Sequence, residues 1–358
     1  MNALIETALG PLDVVRQRVL RLLLARPALS RQLVRRATRV PLVMALCSVA
    51  AFGCATLAPS LQLVWAPIVL GVPHVAADIR YLVLRRALPR ILLWATAGFI
   101  CAFFGFSALQ QAGVVPAAAP ALEHAIGASW VLFAALSGAA LAQRQRSALY
   151  AVGAAVGIGI CAMNWPLAFR LALVHGHNLI AFVIWLALFR RRSDRRAWFL
   201  AFGILTTAAL LASGLVLPIT MRHGWLALSG LHLFAAADWL APGLTGAQGV
   251  GVAASFAYLQ SLHYAAWLVA IPQEDSAAAG SATFRMSWRS WLRDYRAVGS
   301  AVVFGLALLV LMAGALHPLR TRHVYIALTS FHAWLELALL AYVWARGRPE
   351  TTRASRGA

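Results

Sequence analysis

The chain has 358 residues, of which 61% are hydrophobic and only 12% are charged. Soluble domains carry about 25% charged residues, so this composition excludes an ordinary soluble protein. The formal net charge of +20 comes entirely from arginine, because the sequence contains no lysine. These arginines cluster between apolar segments, where they set topology and meet anionic lipid, so we expect a lipid bilayer and no nucleic acid as partner.

Residues 1–40 form an arginine-rich segment with apolar residues at helical spacing. This pattern is typical of an amphipathic helix that lies along the cytoplasmic membrane surface. The first long apolar run begins only near Pro41, so we expect no cleavable signal peptide.

The segment 41–345 consists mainly of apolar runs long enough to cross a bilayer. They predict an all-α fold, a polytopic integral membrane bundle of about ten transmembrane helices. The predicted spans are 41–59, 61–84, 91–110, 120–142, 147–165, 166–190, 197–217, 247–271, 297–317 and 323–345.

The distribution of arginine predicts the topology. Basic clusters alternate with loops almost free of charge, which places both termini in the cytoplasm of a bacterial inner-membrane protein. Residues 346–358 would then be a basic cytoplasmic tail. A further run, 224–241, would put the arginine-rich loop 272–296 outside if it crossed the membrane. We therefore predict a re-entrant or interfacial segment there, with an eleventh span as the alternative.

The loop 272–296 carries an aromatic stripe. Phe284, Trp288, Trp291 and Tyr295 repeat at helical spacing and are flanked by arginines. This arrangement predicts a cytoplasmic helix lying in the plane of the headgroups.

Four histidines, His74, His177, His263 and His332, lie near the centres of separate apolar runs. An ionisable group at the bilayer centre costs about 2.5–3.5 kcal/mol by insertion scales, so such residues usually have a function. Neutral imidazole is also the commonest metal ligand in proteins. The pattern therefore predicts a metal centre inside the membrane domain.

Carboxylates follow two of these histidines one helical turn later, Asp78 after His74 and Glu336 after His332. Spacing of four residues puts both side chains on one face of a helix. Asp78 could bind a metal directly, orient the His74 ring or pair with Arg80.

His175 and His177 flank Gly176 and point about 200° apart on a regular helix, so one ligand and one hydrogen-bond partner is the simpler arrangement. His232 and Asp238 fall in the run 224–241 and could cap a cavity from the outer side. The remaining histidines lie at predicted outer ends and are expected to be interfacial. They are His124, His223, His317 and His323.

Histidine with carboxylate and without sulfur favours iron, with zinc as the alternative. Motifs that would indicate other chemistry are missing. The sequence has no HExxH element of a zinc protease, no G-x-S-x-G element of a hydrolase and no phosphate-binding P-loop.

Two short stretches resemble one family. GVPHVAAD, residues 71–78, resembles the GxPHGxxD-type element of the Brp/Blh family, membrane enzymes that cleave β-carotene to retinal. HLFAAAD, residues 232–238, is similar to a second His-plus-Asp element of that family. The resemblance implies histidines from several helices around a non-haem iron, with His74 as a ligand and His232 as a candidate. Val75 replaces the small residue that follows the histidine in the family pattern, which puts the substrate in doubt more than the metal.

The leading hypothesis is a membrane oxidoreductase with a non-haem Fe(II) centre. Its substrate would be a hydrophobic small molecule, such as a carotenoid or isoprenoid, oxidised by dioxygen. His74, His177, His263 and His332 would bind the metal, with His175 and His232 as further candidates, and Asp78 and Glu336 would orient imidazoles or take a proton. The alternatives are an intramembrane zinc hydrolase and a proton or metal-ion transporter. The sequence does not define the oligomeric state.

Overall fold

The computed structural model describes residues 2–25, 33–115, 120–142, 144–190, 195–275 and 282–347. Within these ranges the chain is almost entirely helical, and its only strands form one two-stranded hairpin. The prediction of an all-α, polytopic membrane bundle is confirmed.

The helices and strands follow in chain order. They are α1 (Asn2–Leu24), α2 (Arg36–Leu57), α3 (Pro59–Asp78), α4 (Arg90–Gln111), α5 (Pro120–Ala139), α6 (Gln145–Asn164), α7 (Pro166–Ile184), α8 (Arg195–Ala212), α9 (Leu217–His223), β1 (Ala227–Leu228), β2 (Leu231–His232), α10 (Leu233–Leu240), α11 (Gly246–Ala265), α12 (Ile271–Asp275), α13 (Phe284–Leu316), α14 (Pro318–Leu328) and α15 (Phe331–Arg346).

Nine helical segments among the described residues are long and apolar enough to cross a membrane. They make the chain a multi-pass membrane protein. They are Arg36–Leu57, Pro59–Leu84, Arg90–Gln111, Ala121–Ala139, Gln145–Asn164, Pro166–Phe189, Arg195–Ala212, Phe284–Leu316 and Pro318–Arg346. The predicted span 247–271 corresponds to α11, which is less apolar than these nine and is buried along most of its length.

The chain divides into two compact units. The first unit comprises Met1–Arg85 and Ala181–Arg322, and the second comprises Arg86–Ile180 and His323–Ala358.

In the first unit, α11 packs against α2, α3 and α8. Small residues allow this close approach, since a Cβ atom at Gly251 would lie 2.6 Å from the Leu211 carbonyl oxygen. Polar side chains join the same helices, and Gln62 on α3 donates to Ser261 on α11 at 2.9 Å. Internal hydrogen bonds of this kind satisfy polar groups that lipid cannot.

Residues 224–241 form the β-hairpin and the short helix α10. Ser229 and Gly230 both have positive φ, at 54° and 83°, as a type I′ two-residue turn requires. The hairpin is attached to the start of α3, because Ser60 donates to the Leu226 carbonyl and Trp65 donates to Ser229. The eight residues of α10 span about 12 Å, too short to cross a bilayer.

Helix α13 is broken at Arg296, where φ is 57° and ψ is −175°. This backbone conformation is strained for any residue except glycine. The aromatic stripe lies before the break, in residues 284–295, and the apolar span lies after it. The Thr283 hydroxyl caps the first part by accepting a hydrogen bond from the Met286 amide at 3.1 Å.

In the second unit, α15 packs closely against α5. The sequence permits this through glycine, since a Cβ atom at Gly127 would overlap the Trp334 ring and one at Gly138 would overlap the Tyr342 carbonyl. Small residues at such positions are how membrane helices approach one another.

We expect Gly127→Ala to lower the thermal stability of the detergent-solubilised protein, because overpacking costs about 1–3 kcal/mol. Gly98→Ala is the matched control, since a Cβ atom there meets nothing within 4 Å. Thermal unfolding should show a lower midpoint for Gly127→Ala and an unchanged or higher midpoint for Gly98→Ala. Equal midpoints for the two variants would contradict the packing described for α5 and α15.

Candidate functional site

The first unit brings His74 and His263 together. His74 lies on α3 and His263 on α11, and each is only 1% exposed. Their rings meet edge to face with centroids 5.3 Å apart, and one ring nitrogen of each lies within 4.8 Å of the other. Helices from distant parts of the chain thus place two buried imidazoles side by side.

Tyr264 and Asp78 surround this pair. The Tyr264 ring lies 4.6 Å from the His74 ring and 5.9 Å from the His263 ring. Asp78 is fully buried one turn after His74 and interacts electrostatically with Tyr264. The Nδ1 atom of His74 lies 3.3 Å from the Leu70 carbonyl oxygen, so Nδ1–H can donate to its own helix. That bond makes Nε2 the nitrogen with an in-plane lone pair for a metal.

Each of these two helices becomes π-helical beside the pair. A π-helical turn, Ile79–Leu84, begins directly after Asp78, and another, Ala266–Ala270, begins two residues after Tyr264. Such turns are rare and are frequent at functional sites. They also interrupt the regular hydrogen-bond ladder, and the Tyr295 hydroxyl donates at 2.5 Å to the Ala76 carbonyl at the first transition.

An ionic network fixes the first π-helical turn to the aromatic part of α13. Arg80 donates to Asp294 at 2.6 Å and to Ser290 at 3.0 Å. Arg85 also donates to Asp294, at 2.8 Å, and pairs with Asp275. The sequence suggested that Asp78 could pair with Arg80, but the ion pair of Arg80 is with Asp294.

Two groups of this region have shifted pKa values. Burial acts to lower the pKa of Arg85, and its hydrogen bonds to Asp294 and Asp275 outweigh that effect, so the pKa is raised. Burial raises the pKa of the Glu274 carboxyl, although its ion pair with Arg190 at 2.5 Å opposes the shift.

The second unit brings His177 and His332 together. His177 lies on α7 and His332 on α15, and their rings meet edge to face with centroids 5.2 Å apart. The Nδ1 atom of His177 lies 3.0 Å from the Val174 carbonyl oxygen, and that of His332 lies 2.5 Å from the Thr329 carbonyl oxygen. Both rings can therefore donate Nδ1–H to their own helix and present Nε2 to a ligand.

Two other predicted residues of the second unit, Glu336 and His175, lie beside this pair in the chain, together with Asn178. Glu336 is fully buried one turn after His332. Asn178, also fully buried, donates to the Val174 carbonyl at 3.5 Å. His175 is half-buried and interacts electrostatically with His177.

His232 and Asp238 are placed differently from the buried pairs. Both side chains are exposed, and His232 caps α10 by accepting a hydrogen bond from the Phe234 amide at 3.3 Å. Among the described residues, His232 belongs to no cluster of potential metal ligands. The geometry therefore gives His232 a capping role.

Sequence reasoning missed several residues of these surroundings. The prediction that His124 is interfacial is wrong, because it is 1% exposed and its Nδ1 lies 3.2 Å from the Ala162 carbonyl oxygen. Tyr264 follows His263 directly, so adjacency to a mid-span histidine was an available signal. Asp294 carried no such signal, because its partners lie more than 200 residues away.

Comparison of the chain with protein-family models, curated proteins and solved structures finds no match. The resemblance to the Brp/Blh family therefore stays a prediction.

The donor set of the first unit fits a metal ion. Bonds of about 2.0–2.1 Å from metal to imidazole nitrogen place two bound nitrogens about 4 Å apart or less. The separation of at most 4.8 Å between ring nitrogens of His74 and His263 reaches this value with a small shift of either ring. Three of the four rings can donate Nδ1–H to a backbone carbonyl. A metal-binding histidine usually makes such a hydrogen bond, which fixes the orientation of its ring.

We expect Asp294→Asn to destabilise the protein on the order of 3 kcal/mol, because it leaves two largely buried guanidinium groups with a weaker partner. Glu6→Gln is the control, since the Glu6–Arg289 pair is exposed to solvent. Thermal unfolding in detergent measures both variants. A midpoint for Asp294→Asn as high as that for Glu6→Gln would show that the network contributes no stability.

Proposed function

We propose that this protein is a membrane-embedded, metal-dependent oxidoreductase that acts on a lipid-soluble substrate. In this proposal His74 and His263 bind the metal ion in the first unit, and His177 and His332 are the corresponding pair of candidate ligands in the second unit. The observation that carries the proposal is the contact of imidazole rings in pairs, one pair in each unit, with the pair of the first unit fully buried.

The position of these rings within apolar helices supports a functional role. Placing an imidazole in the apolar interior of a membrane domain costs free energy. Four such rings on four different helices each add to that cost. A bound metal would offset it, because metal binding stabilises the folded state that assembles the ligands.

Imidazole suits iron, zinc and copper alike, and the carboxylates Asp78 and Glu336 near the rings are the reason for naming iron. When bound, Fe(II) in such a set supplies open coordination positions for the activation of dioxygen. The chain's own residues would do the remaining work. The Leu70, Val174 and Thr329 carbonyls orient three rings, Asp78 and Glu336 hold protons beside them, and the apolar helices exclude water.

The choice of substrate rests on two arguments. A site inside the membrane domain is open to molecules that dissolve in lipid, so a hydrophobic small molecule is the natural substrate. The resemblance of residues 71–78 and 232–238 to the Brp/Blh family is the reason for naming a carotenoid or isoprenoid and its oxidative cleavage.

Metal analysis of the purified protein tests the proposal. Elemental mass spectrometry should find about one equivalent of iron in the unmodified chain, and His74→Ala and His263→Ala, which each remove one ring of the first unit's pair, should each reduce it to less than about 0.2 equivalents. His223→Ala is the control for loss of an exposed histidine and should retain the metal.

Three results would contradict the proposal. A metal-free protein with all four histidines intact would exclude a metal centre. Zinc with turnover independent of dioxygen would identify a hydrolase. Ion flux in sealed vesicles without conversion of an organic compound would identify a transporter.

A further inference from the structure

Arg322 is a buried cation in the first unit. It lies on α14 and is only 2% exposed. Its Nε donates to the Leu63 carbonyl oxygen at 2.6 Å, and its guanidinium carbon lies 4.5 Å from the centre of the Trp239 ring. The Leu63 carbonyl is available because the residue four positions later is Pro67, which has no N–H to donate within the helix.

No carboxylate balances this charge within the described ranges. The ion pairs there join Asp and Glu side chains to other arginines, namely Arg80, Arg85, Arg190, Arg285 and Arg289. Arg190 is the matched case, because it is buried to a similar degree and pairs with Glu274 at 2.5 Å. Arg322 has a carbonyl and an aromatic face, which are neutral partners.

A buried cation without a counter-ion is costly, and the cost falls when an anion binds beside it. The Nε atom of Arg322 donates to the Leu63 carbonyl oxygen, and the two terminal nitrogens of its guanidinium make no hydrogen bond to a described residue. These two nitrogens form one edge of the planar guanidinium, which matches two oxygens of an oxyanion.

Arg322 is connected to the histidine pair of its own unit through Tyr264. Tyr264 interacts electrostatically with Arg322, and its ring lies 4.6 Å from the His74 ring. Trp239 of α10 covers the guanidinium on one side.

We propose that Arg322 binds the carboxylate of an amphiphilic ligand, such as a long-chain fatty or polyenoic acid. The identification of this ligand as the enzyme's substrate rests on the proposed function, whereas its binding does not. One carboxylate neutralises one guanidinium, whereas a phosphate monoester carries up to two negative charges and would leave a net charge in an apolar site.

Ligand binding to the purified, chelator-treated protein in nanodiscs tests the inference. Radiolabelled oleate should bind the unmodified chain about tenfold more tightly than oleyl alcohol or oleyl phosphate, which have the same hydrocarbon chain. This comparison needs no variant. Equal binding of the acid and the alcohol would overturn the inference, and tighter binding of the phosphate would overturn the choice of a carboxylate.

Variants locate the binding site. Arg322→Met should weaken oleate binding about tenfold without changing the binding of oleyl alcohol. The oleate affinity of Arg322→Lys should lie between the affinities of Arg322→Met and the unmodified chain. Arg320→Met, an exposed arginine of the same helix, should bind oleate normally. Oleate binding by a folded Arg322→Met variant at the unmodified affinity would overturn the assignment.

The same samples separate this inference from the proposed function. His263→Ala should lose the metal and keep oleate binding, and Arg322→Met should keep the metal and lose oleate binding. If the protein binds no metal but binds oleate more tightly than oleyl alcohol in an Arg322-dependent way, the metal centre is refuted and the carboxylate site is supported.

Discussion

Every polar group in the interior of a membrane domain must find its partner within the protein, because lipid supplies none. This constraint governs the buried residues of this chain. Imidazole Nδ1 atoms lie against backbone carbonyls, as in His177 and His332. Buried guanidinium groups bond to carboxylates, as in Arg190, or to a carbonyl that a proline has released, as in Arg322. The arrangement of the imidazoles into pairs is the part of this pattern on which the proposed function rests.

Irregular helix geometry supports the polar residues of the first unit. Pro67 leaves the Leu63 carbonyl without its helical donor, and the π-helical turn Ile79–Leu84 coincides with the bond from Tyr295 to the Ala76 carbonyl. A regular helix would keep these carbonyls within its own ladder. The departures from regular geometry thus provide acceptors at the depth where side chains need them.

The helices could be predicted from the sequence because apolar runs of spanning length are a strong and local signal. The burial of His74, Asp78 and Glu336 could be anticipated for the same reason, since each lies within such a run. The pairing of particular histidines could not, because His74 and His263 meet only through the packing of α3 against α11. Whether a histidine is buried or interfacial could not be predicted from its position within an apolar segment. His124 lies near the end of such a segment and is nevertheless buried.

The Arg80–Asp294 network and the surroundings of Arg322 could not be predicted from the sequence either. Both depend on segments that return to α3 from more than 200 residues away. One signal was nevertheless present in advance. A proline inside a transmembrane helix leaves the carbonyl four residues earlier without its helical donor. Pro67 therefore predicts that the Leu63 carbonyl accepts a hydrogen bond from another group.

X-ray absorption spectroscopy of the iron-loaded protein is the decisive experiment on the proposed metal centre, because it reports the atoms bound to the metal. We expect at least two imidazole nitrogens at about 2.0–2.2 Å from the ion, with the outer-shell scattering of histidine rings and no sulfur. An absorption spectrum with sulfur neighbours, or with oxygen neighbours and no imidazole scattering, would contradict it.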